Sequence, residues 1–225
     1  MSRAPQTRAV VFDLDGTLVD SMPLVLRAFA HALQPACGEL TPETITAHLG
    51  GPPDRTFREL ITDEARISEA MQRLMDFSME NWRLIRPFDG MHGLLDELRA
   101  ARHPLALWTG RERESTGWIL QEHGIAPKLD AWVCGDDLPT HKPHPGGLEE
   151  ALRQLNLGRA EALFVGDADV DVLAGASCGV RTLLICHDRV VEPSIRAKAW
   201  RAVHTPAEAY AIVRAEFPSR LAARG

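Results

Sequence analysis

The sequence predicts an α/β protein whose Rossmann-like three-layer core contains a parallel sheet and carries an inserted α-helical domain. Several short runs have apolar residues on both faces, which is typical of strands buried on both sides. Stretches with helical periodicity separate these runs, as in chains that alternate strand and crossover helix. One connection, of roughly 70 residues, is far longer than the ten to twelve residues that a crossover needs, so it predicts an inserted domain.

Five apolar runs are the predicted strands of the core. They are Ala9–Phe12, Pro104–Trp108, Ala131–Cys134, Ala162–Val165 and Arg181–Cys186. Leucines recur at helical spacing between them, for example at Leu94, Leu95 and Leu98, and again from Leu148 to Leu155. Because strand and helix alternate, we expect the strands to be parallel and joined by right-handed crossovers.

The long connection covers residues 19–88 and is predicted to be a helical domain, which leaves residues 1–18 and 89–225 for the core. Apolar side chains recur in it at helical spacing, and prolines and glycines, among them residues 50–53, divide it into several helices. Its methionine and aromatic stripe is predicted to be a packed core rather than a cofactor site. The stripe consists of Met71, Leu74, Met75, Phe77, Met79 and Trp82.

Composition and charge narrow the expected partners and compartment. The 225 residues carry a formal net charge of −6 at pH 7, which argues against general binding to nucleic acid or to an anionic membrane surface. No apolar run approaches the roughly 18 residues of a membrane span, and the polar N-terminus lacks a hydrophobic signal segment. The cysteines lack the spacing of a zinc site, so buried thiols and a cytoplasmic location are predicted. No feature marks a self-association surface, and a monomer and a homodimer both remain open.

Acidic residues follow the first predicted strand and a second one far along the chain. Asp13 and Asp15 are two residues apart on an extended chain, so their side chains share a face. Asp167 ends another strand, and parallel strands bring their carboxyl ends to one ligand-binding edge. Two carboxylates about 4 Å apart repel by roughly 4 kcal/mol at an effective dielectric constant of 20. This grouping favours a hard cation such as Mg²⁺ or a protonated acid, although each acid alone could cap a helix.

Other polar residues follow the remaining strands. Thr109 and Gly110 offer a hydroxyl and an unhindered amide near a predicted helix N-terminus, which suits an anion. Lys142 lies in a segment that two prolines stiffen, and this could direct its ammonium inward. Each signal is weak by itself, since threonine often caps helices and a loop lysine is usually solvated. Together with the acids, they favour a site that binds an anion and a metal ion.

Four motifs in order resemble those of the haloacid dehalogenase-like hydrolase superfamily. The run VVFDLDGTL, from Val10 to Leu18, is similar to the first motif. The other three are Thr109-Gly110, Lys142 before Pro143, and Gly166-Asp167 with Asp171 four residues later. The resemblance covers nearly the whole chain, and the inserted helical domain resembles the cap of the phosphoglycolate phosphatase-like subgroup.

The resemblance implies a role for each acid. Asp13 would be the nucleophile that accepts a phosphoryl group, and Asp15 would protonate the leaving oxygen and then activate water. The side chains of Asp13 and Asp167 and the backbone carbonyl of Asp15 would bind Mg²⁺, with Asp171 supporting them through the metal's waters. These roles agree with the chemistry of the residues, because phosphoryl transfer depends on placement and charge neutralisation.

The resemblance also implies ligands for the phosphoryl oxygens, namely Thr109, the Gly110 amide and Lys142. The sequence departs from the common pattern at Arg111, near which many members have asparagine or lysine. Arg111 is a candidate substrate ligand, although the sequence favours a solvated helix arginine there. Arg55, in the inserted domain, is a second candidate for binding substrate, and a surface arginine is the simpler interpretation.

The predicted function is Mg²⁺-dependent hydrolysis of a small phosphomonoester, phosphoglycolate or a sugar phosphate, through an aspartyl phosphate. A phosphomutase that passes the phosphoryl group to a sugar phosphate is an alternative. A non-enzymatic phospho-acceptor module is another, although receiver domains are shorter and lack a large insertion after the first strand. Dehalogenation is disfavoured because a departing halide needs no proton from an acid such as Asp15.

Overall fold

The computed structural model describes residues 8–49 and 53–218, and the N-terminal segment 1–7 and most of the break at 50–53 lie outside this range. The chain divides into two compact units. The first contains the chain up to Asp20 and from Pro87 onward, and the second is Ser21–Arg86. The sequence placed the inserted domain at residues 19–88, which is two residues wider at each end.

The first unit contains a six-stranded sheet in which every pairing is parallel. In chain order, the strands of the protein are β1 Ala9–Phe12, β2 Val19–Asp20, β3 Arg86–Pro87, β4 Leu105–Trp108, β5 Ala131–Val133, β6 Ala162–Gly166, β7 Arg181–Ile185 and β8 Arg201–Val203. The order across the sheet is β5-β4-β1-β6-β7-β8. The predicted α/β class with a parallel sheet is therefore confirmed.

Helices connect these strands and make up the second unit. Those of the second unit are α1 Met22–Cys37, α2 Pro42–His48, α3 Pro53–Leu60 and α4 Ile67–Asn81. Those of the first unit are α5 Met91–Ala100, α6 Arg113–Glu122, α7 Gly146–Leu155, α8 Asp169–Cys178, α9 Pro193–Arg196 and α10 Pro206–Glu216. Short 3-10 turns lie between several of them.

Strand β1 lies at the topological switch point of the sheet. The chain passes from β1 to β4 and β5 on one side, and then returns to β6, β7 and β8 on the other side. Neighbouring connections therefore diverge at the carboxyl end of β1, which leaves a crevice where open α/β sheets bind ligands. The register places Phe12 opposite Val165, so the residues that follow β1 and β6 are neighbours.

Alternate side chains of the strands pack on opposite faces of the sheet. On one face, Val11, Trp108 and Phe164 pack with the buried side chains of α7 and α8. Val10 and Phe12 are also fully buried, and the two-residue period of a strand directs them to the other face. Helices α5 and α10 contact each other, and α10 contacts β7. Burial on both faces explains why these strands are apolar at nearly every position.

The second unit has its own apolar core, and the predicted stripe is only partly in it. Phe29 and Phe57 pack with ring centroids 5.4 Å apart, and Leu74 is buried with them. Met75 and Met79 are exposed, which corrects the prediction that the whole stripe is core. An amphipathic helix buries one stripe of its surface, so residues adjacent to Leu74 in sequence cannot all face inward.

The sequence did not predict β8, because Arg201–Val203 is short, begins with an exposed arginine and is only partly buried. All four cysteines are free thiols, and three of them, Cys134, Cys178 and Cys186, are buried. None of the helices within residues 8–49 and 53–218 combines the length and apolar composition that a bilayer span requires.

Helix α7 approaches the sheet so closely that its second residue has no room for a side chain. A Cβ at Gly147 would overlap the indole ring of Trp108, whereas a Cβ at Gly117 in α6 would meet nothing within 4 Å. Gly147→Ala should therefore lower the free energy of unfolding in urea by about 1–3 kcal/mol. Gly117→Ala, the matched control, should raise it by up to about 1 kcal/mol, because alanine is the better helix former. Equal effects of the two substitutions would contradict this packing.

Candidate active site

The carboxyl ends of β1 and β6 bring three aspartates together. Asp13 directly follows β1, and its amide donates to the carbonyl of Val165 in β6 (2.8 Å). One carboxylate oxygen from each of Asp13, Asp167 and Asp171 lies within 4.8 Å of the others. Asp13 and Asp171 are buried, and Asp167 is partly buried. Parallel strands and the β1–β6 register therefore produce the acidic cluster.

A tight turn after Asp15 holds the chain against this cluster. Gly16 has a φ of +73°, and a Cβ there would overlap the carboxylate of Asp167. Glycine is the residue that meets both conditions at little cost. The Gly16 carbonyl is 2.7 Å from Nε2 of His187, and the carbonyl of Thr17 accepts a hydrogen bond from the Tyr210 hydroxyl (2.6 Å).

His187 and Tyr210 are site-supporting residues that sequence reasoning missed. His187 comes just after β7 and is therefore at the same sheet edge as Asp13. A polar residue just after a strand was the pattern that marked Asp13 and Thr109, and the same pattern would have marked His187. Tyr210 lies in α10, far along the chain from the turn that it contacts, and no local pattern marks it.

Lys142 is buried between two of the acids. Its Nζ is 2.7 Å from Oδ1 of Asp13 and 2.7 Å from Oδ1 of Asp171, and its side chain is only 9% exposed. Nζ also lies 4.8 Å from the ring centroid of Trp108 and 5.4 Å from that of Phe164. Burial lowers the pKa of Lys142, but Asp13 and Asp171 together raise it above its ordinary value. The two acids therefore favour the charged ammonium form of Lys142.

Asp171 has a second partner besides Lys142. It lies in the first turn of α8, and its Oδ2 accepts a hydrogen bond from the amide of Ala168 (3.0 Å). One oxygen thus caps the helix while the other pairs with Lys142. This geometry makes Asp171 an anchor for the lysine as well as a member of the acidic cluster.

Crowding changes the protonation of the acids in the cluster. Burial raises the pKa of Asp13 to about 7, with Asp171 and Asp15 adding to the rise and Lys142 opposing it. The pKa of Asp167 is also well above its ordinary value, first because of burial and then because of Asp13 and Asp171. Two cations, Lys142 and Arg111, thus only partly offset the charge of four carboxylates.

The donor set fits a magnesium ion. Carboxylate and carbonyl oxygens are the ligands that hard divalent cations prefer, and a bound cation relieves the repulsion that raises the pKa of Asp13 and Asp167. Asp13 and Asp167 have carboxylate oxygens close enough to share one ion.

Arg111 binds Asp15 through two hydrogen bonds. Nε of Arg111 donates to Oδ2 of Asp15 (3.0 Å), and Nη2 donates to Oδ1 (2.7 Å). Helix α6 begins at Arg113, so Arg111 lies in the loop before it, and its side chain is 23% exposed. The expectation of a solvated helix arginine was therefore wrong, because the sheet edge brings residues 96 apart in sequence together.

Two of the three predicted phosphate ligands, Thr109 and Gly110, lie in the loop after β4. Thr109 is buried, and its Oγ1 accepts a hydrogen bond from the amide of Arg111 (3.1 Å), which leaves the hydroxyl proton for another acceptor. Gly110 is exposed, and a Cβ on it would meet nothing within 4 Å. The remaining candidate, Arg55, lies in α3 of the second unit, where its half-exposed side chain is 3.5 Å from Glu59.

Curated relatives share most of their length with this chain. A pyrophosphatase PpaX from Bacillus velezensis is 31% identical over 175 residues, which are 77% of this chain and 81% of that protein. A pyrophosphatase PpaX from Halalkalibacterium halodurans is 28% identical over 181 residues, which are 80% of this chain and 84% of that protein.

Solved structures share the fold at lower identity. A predicted phosphoglycolate phosphatase from Haemophilus somnus superposes with a TM-score of 0.80 at 23% identity, over 92% of this chain and 98% of that chain. A candidate β-phosphoglucomutase from Thermotoga maritima superposes with a TM-score of 0.75 at 22% identity, over 93% of this chain and 99% of that chain.

The model of one protein family, described as haloacid dehalogenase-like hydrolase, matches residues 10–185. This range begins in β1, ends with β7 and includes all four motifs of the acidic edge. The chain therefore belongs to the haloacid dehalogenase-like hydrolases.

Proposed function

We propose that this hydrolase is a Mg²⁺-dependent phosphatase that cleaves small phosphomonoesters through an aspartyl phosphate on Asp13. The observation that supports this most strongly is the position of Asp13, buried at the carboxyl end of β1 between Lys142 and the other acids. A carboxylate in such a place can serve as a covalent nucleophile if the charge around it is neutralised. Asp15, two residues later, supplies a second carboxyl group beside it.

The first step transfers the phosphoryl group to the enzyme. A carboxylate oxygen of Asp13 attacks phosphorus, and the bond between phosphorus and the ester oxygen breaks. Both oxygens of Asp15 accept from Arg111 in the resting site, so Asp15 must first take up a proton; it gives that proton to the ester oxygen, and the leaving group departs as an alcohol. The products of this step are the aspartyl phosphate and an ionised Asp15.

The second step returns the enzyme to its starting state. Asp15 takes a proton from a water molecule, whose oxygen attacks phosphorus, and the bond from phosphorus to Asp13 breaks. Inorganic phosphate is released, and Asp15 is again protonated. The two steps together consume one ester and one water molecule.

Residues of the edge are suited to hold the phosphoryl oxygens. Thr109 and Gly110 follow β4 and therefore lie at this edge, where they offer a hydroxyl and an amide, and Lys142 brings a positive charge next to Asp13. Asp171 keeps Lys142 in place. When bound by Asp13, Asp167 and the Asp15 carbonyl, Mg²⁺ supplies positive charge that offsets the repulsion between Asp13 and the phosphoryl group.

The names of similar proteins support a small phosphorylated substrate. The curated relatives are named pyrophosphatases, and one solved relative is a predicted phosphoglycolate phosphatase. We propose a small phosphorylated metabolite as substrate, with phosphoglycolate the first compound to assay. The second unit is proposed to act as a cap, and the free thiols support a cytoplasmic location.

Replacing Asp13 should prevent the first step, and replacing Asp15 should separate the two steps. Asp13→Asn should lower kcat for p-nitrophenyl phosphate by at least about a thousandfold, because the covalent route is lost. Because p-nitrophenolate leaves without a proton, Asp15→Asn should slow mainly the second step with this substrate, so mass spectrometry of the quenched enzyme should find one phosphoryl group on Asp13. Circular dichroism checks that both variants are folded. An active Asp13→Asn variant would remove the proposed nucleophile.

Metal binding should change stability as well as activity. Mg²⁺ should raise the melting temperature of the wild type, and EDTA should abolish phosphate release reversibly. Asp167→Asn should lose the stabilisation by Mg²⁺, yet melt no lower than the wild type without metal, because it removes a crowded charge. Asp188→Asn, an exposed position, controls for the loss of one negative charge. Stabilisation of Asp167→Asn by Mg²⁺ equal to that of the wild type would contradict the metal site.

A phosphatase and a phosphomutase differ in the fate of the phosphoryl group. With β-glucose 1-phosphate, a phosphatase should release one inorganic phosphate for each substrate consumed, because water is the final acceptor. A phosphomutase should instead produce an isomeric sugar phosphate with little free phosphate. Both products can be followed together by ³¹P NMR. A single phosphorylation without further turnover would indicate the phospho-acceptor alternative.

A further inference from the structure

Arg111 has hydrogen-bond donors that Asp15 does not use. A guanidinium group has five N–H donors. Nε and one proton of Nη2 bind Asp15, so both protons of Nη1 and the second proton of Nη2 remain. Within the part of the chain that the structure describes, these three donors have no hydrogen-bond partner. Arg111 can therefore bind a second anion without releasing Asp15.

The position of Arg111 is set by its own backbone. Its amide donates to Oγ1 of Thr109 (3.1 Å), and its carbonyl accepts from the amide of Gly135 (2.8 Å). Loops after β4 and β5 thus hold the residue from both sides, and Asp15 holds its side chain. A guanidinium fixed in this way loses little further entropy when it binds a ligand.

The two cations of the site differ in how open they are. Lys142 is 9% exposed and is already paired with Asp13 and Asp171. Arg111 is 23% exposed and contacts Asp15, the residue that faces the leaving oxygen in the proposed function. Lys142 is therefore placed to bind the phosphoryl group that Asp13 accepts. Arg111 is placed to bind an anionic group on the part of the substrate that leaves.

We propose, on the basis of the proposed function, that Arg111 selects substrates whose leaving group carries a second anionic group. Its free donors bind a carboxylate or phosphate on that group, while Nε and Nη2 keep Asp15 beside the bridging oxygen. Guanidinium binds such planar or tetrahedral oxyanions with strong, charge-assisted hydrogen bonds. The substrate class is thus phosphate esters or anhydrides with an acidic leaving group, and Arg111 is a specificity residue.

A matched pair of substrates tests this proposal. Phosphoglycolate and 2-hydroxyethyl phosphate have the same two-carbon leaving group, except that a carboxylate in the first is a hydroxymethyl group in the second. Neither leaves easily, so both need a proton from Asp15. The ratio of their kcat/KM values therefore isolates the second anion from the acid–base role. The variants are Arg111→Gln and Arg111→Lys, with Arg153→Gln, an exposed arginine of α7, as control.

The wild type should prefer phosphoglycolate, and Arg111→Gln should lower that preference by about 10- to 100-fold, mainly through KM. Arg111→Lys keeps a positive charge and should retain part of the preference, while Arg153→Gln should retain all of it. Equal losses on both substrates in Arg111→Gln would overturn the proposal, because they would reduce Arg111 to a support for Asp15. No preference in the wild type would overturn it as well. Failure to hydrolyse either compound or p-nitrophenyl phosphate would instead reject the proposed function.

Discussion

The site depends on negative charges that the fold crowds together and only partly neutralises. Asp13, Asp167 and Asp171 approach one another because parallel strands end at the same edge. Lys142 is buried among them and cannot balance them all. The raised pKa of Asp13 and Asp167 expresses the same imbalance. An edge with this much negative charge favours binding of a cation. The bound cation can in turn attract an oxyanion to the same edge.

Tight packing makes this arrangement rigid. A Cβ at Gly16 would overlap Asp167, so the turn after Asp15 lies directly against that acid. A Cβ at Gly147 would overlap Trp108, so helix α7 lies directly against the sheet. His187 and Tyr210 hold the turn after Asp15 through its carbonyls. Because these contacts come from separate elements, the carboxyl groups have little freedom to move apart and relieve their repulsion.

The two cations divide the site into an inner and an outer side. Lys142 is locked between acids and lies over the rings of Trp108 and Phe164, so its charge acts on whatever reaches Asp13. Arg111 is more exposed, with Asp15 on one edge of its guanidinium and, among the residues that the structure describes, donors without a partner on the other. In the mechanism that we propose, one cation would serve the group that is transferred and the other would serve the group that leaves.

The sequence by itself determined the class of fold, the central strands and the places of the acids. Apolar runs mark strands buried on both faces, and the rule that parallel strands end at one edge brings Asp13 and Asp167 together without coordinates. Tertiary structure alone decided the partners: Arg111 on Asp15, Lys142 between two acids, and Tyr210 on the turn. These contacts join residues that are far apart in sequence, and several of those residues lie in irregular loops. The path of such a loop depends on tertiary packing, so no periodic pattern in the sequence predicts it. Strand β8 also formed without an apolar run, because it lies next to β7 and is only partly buried.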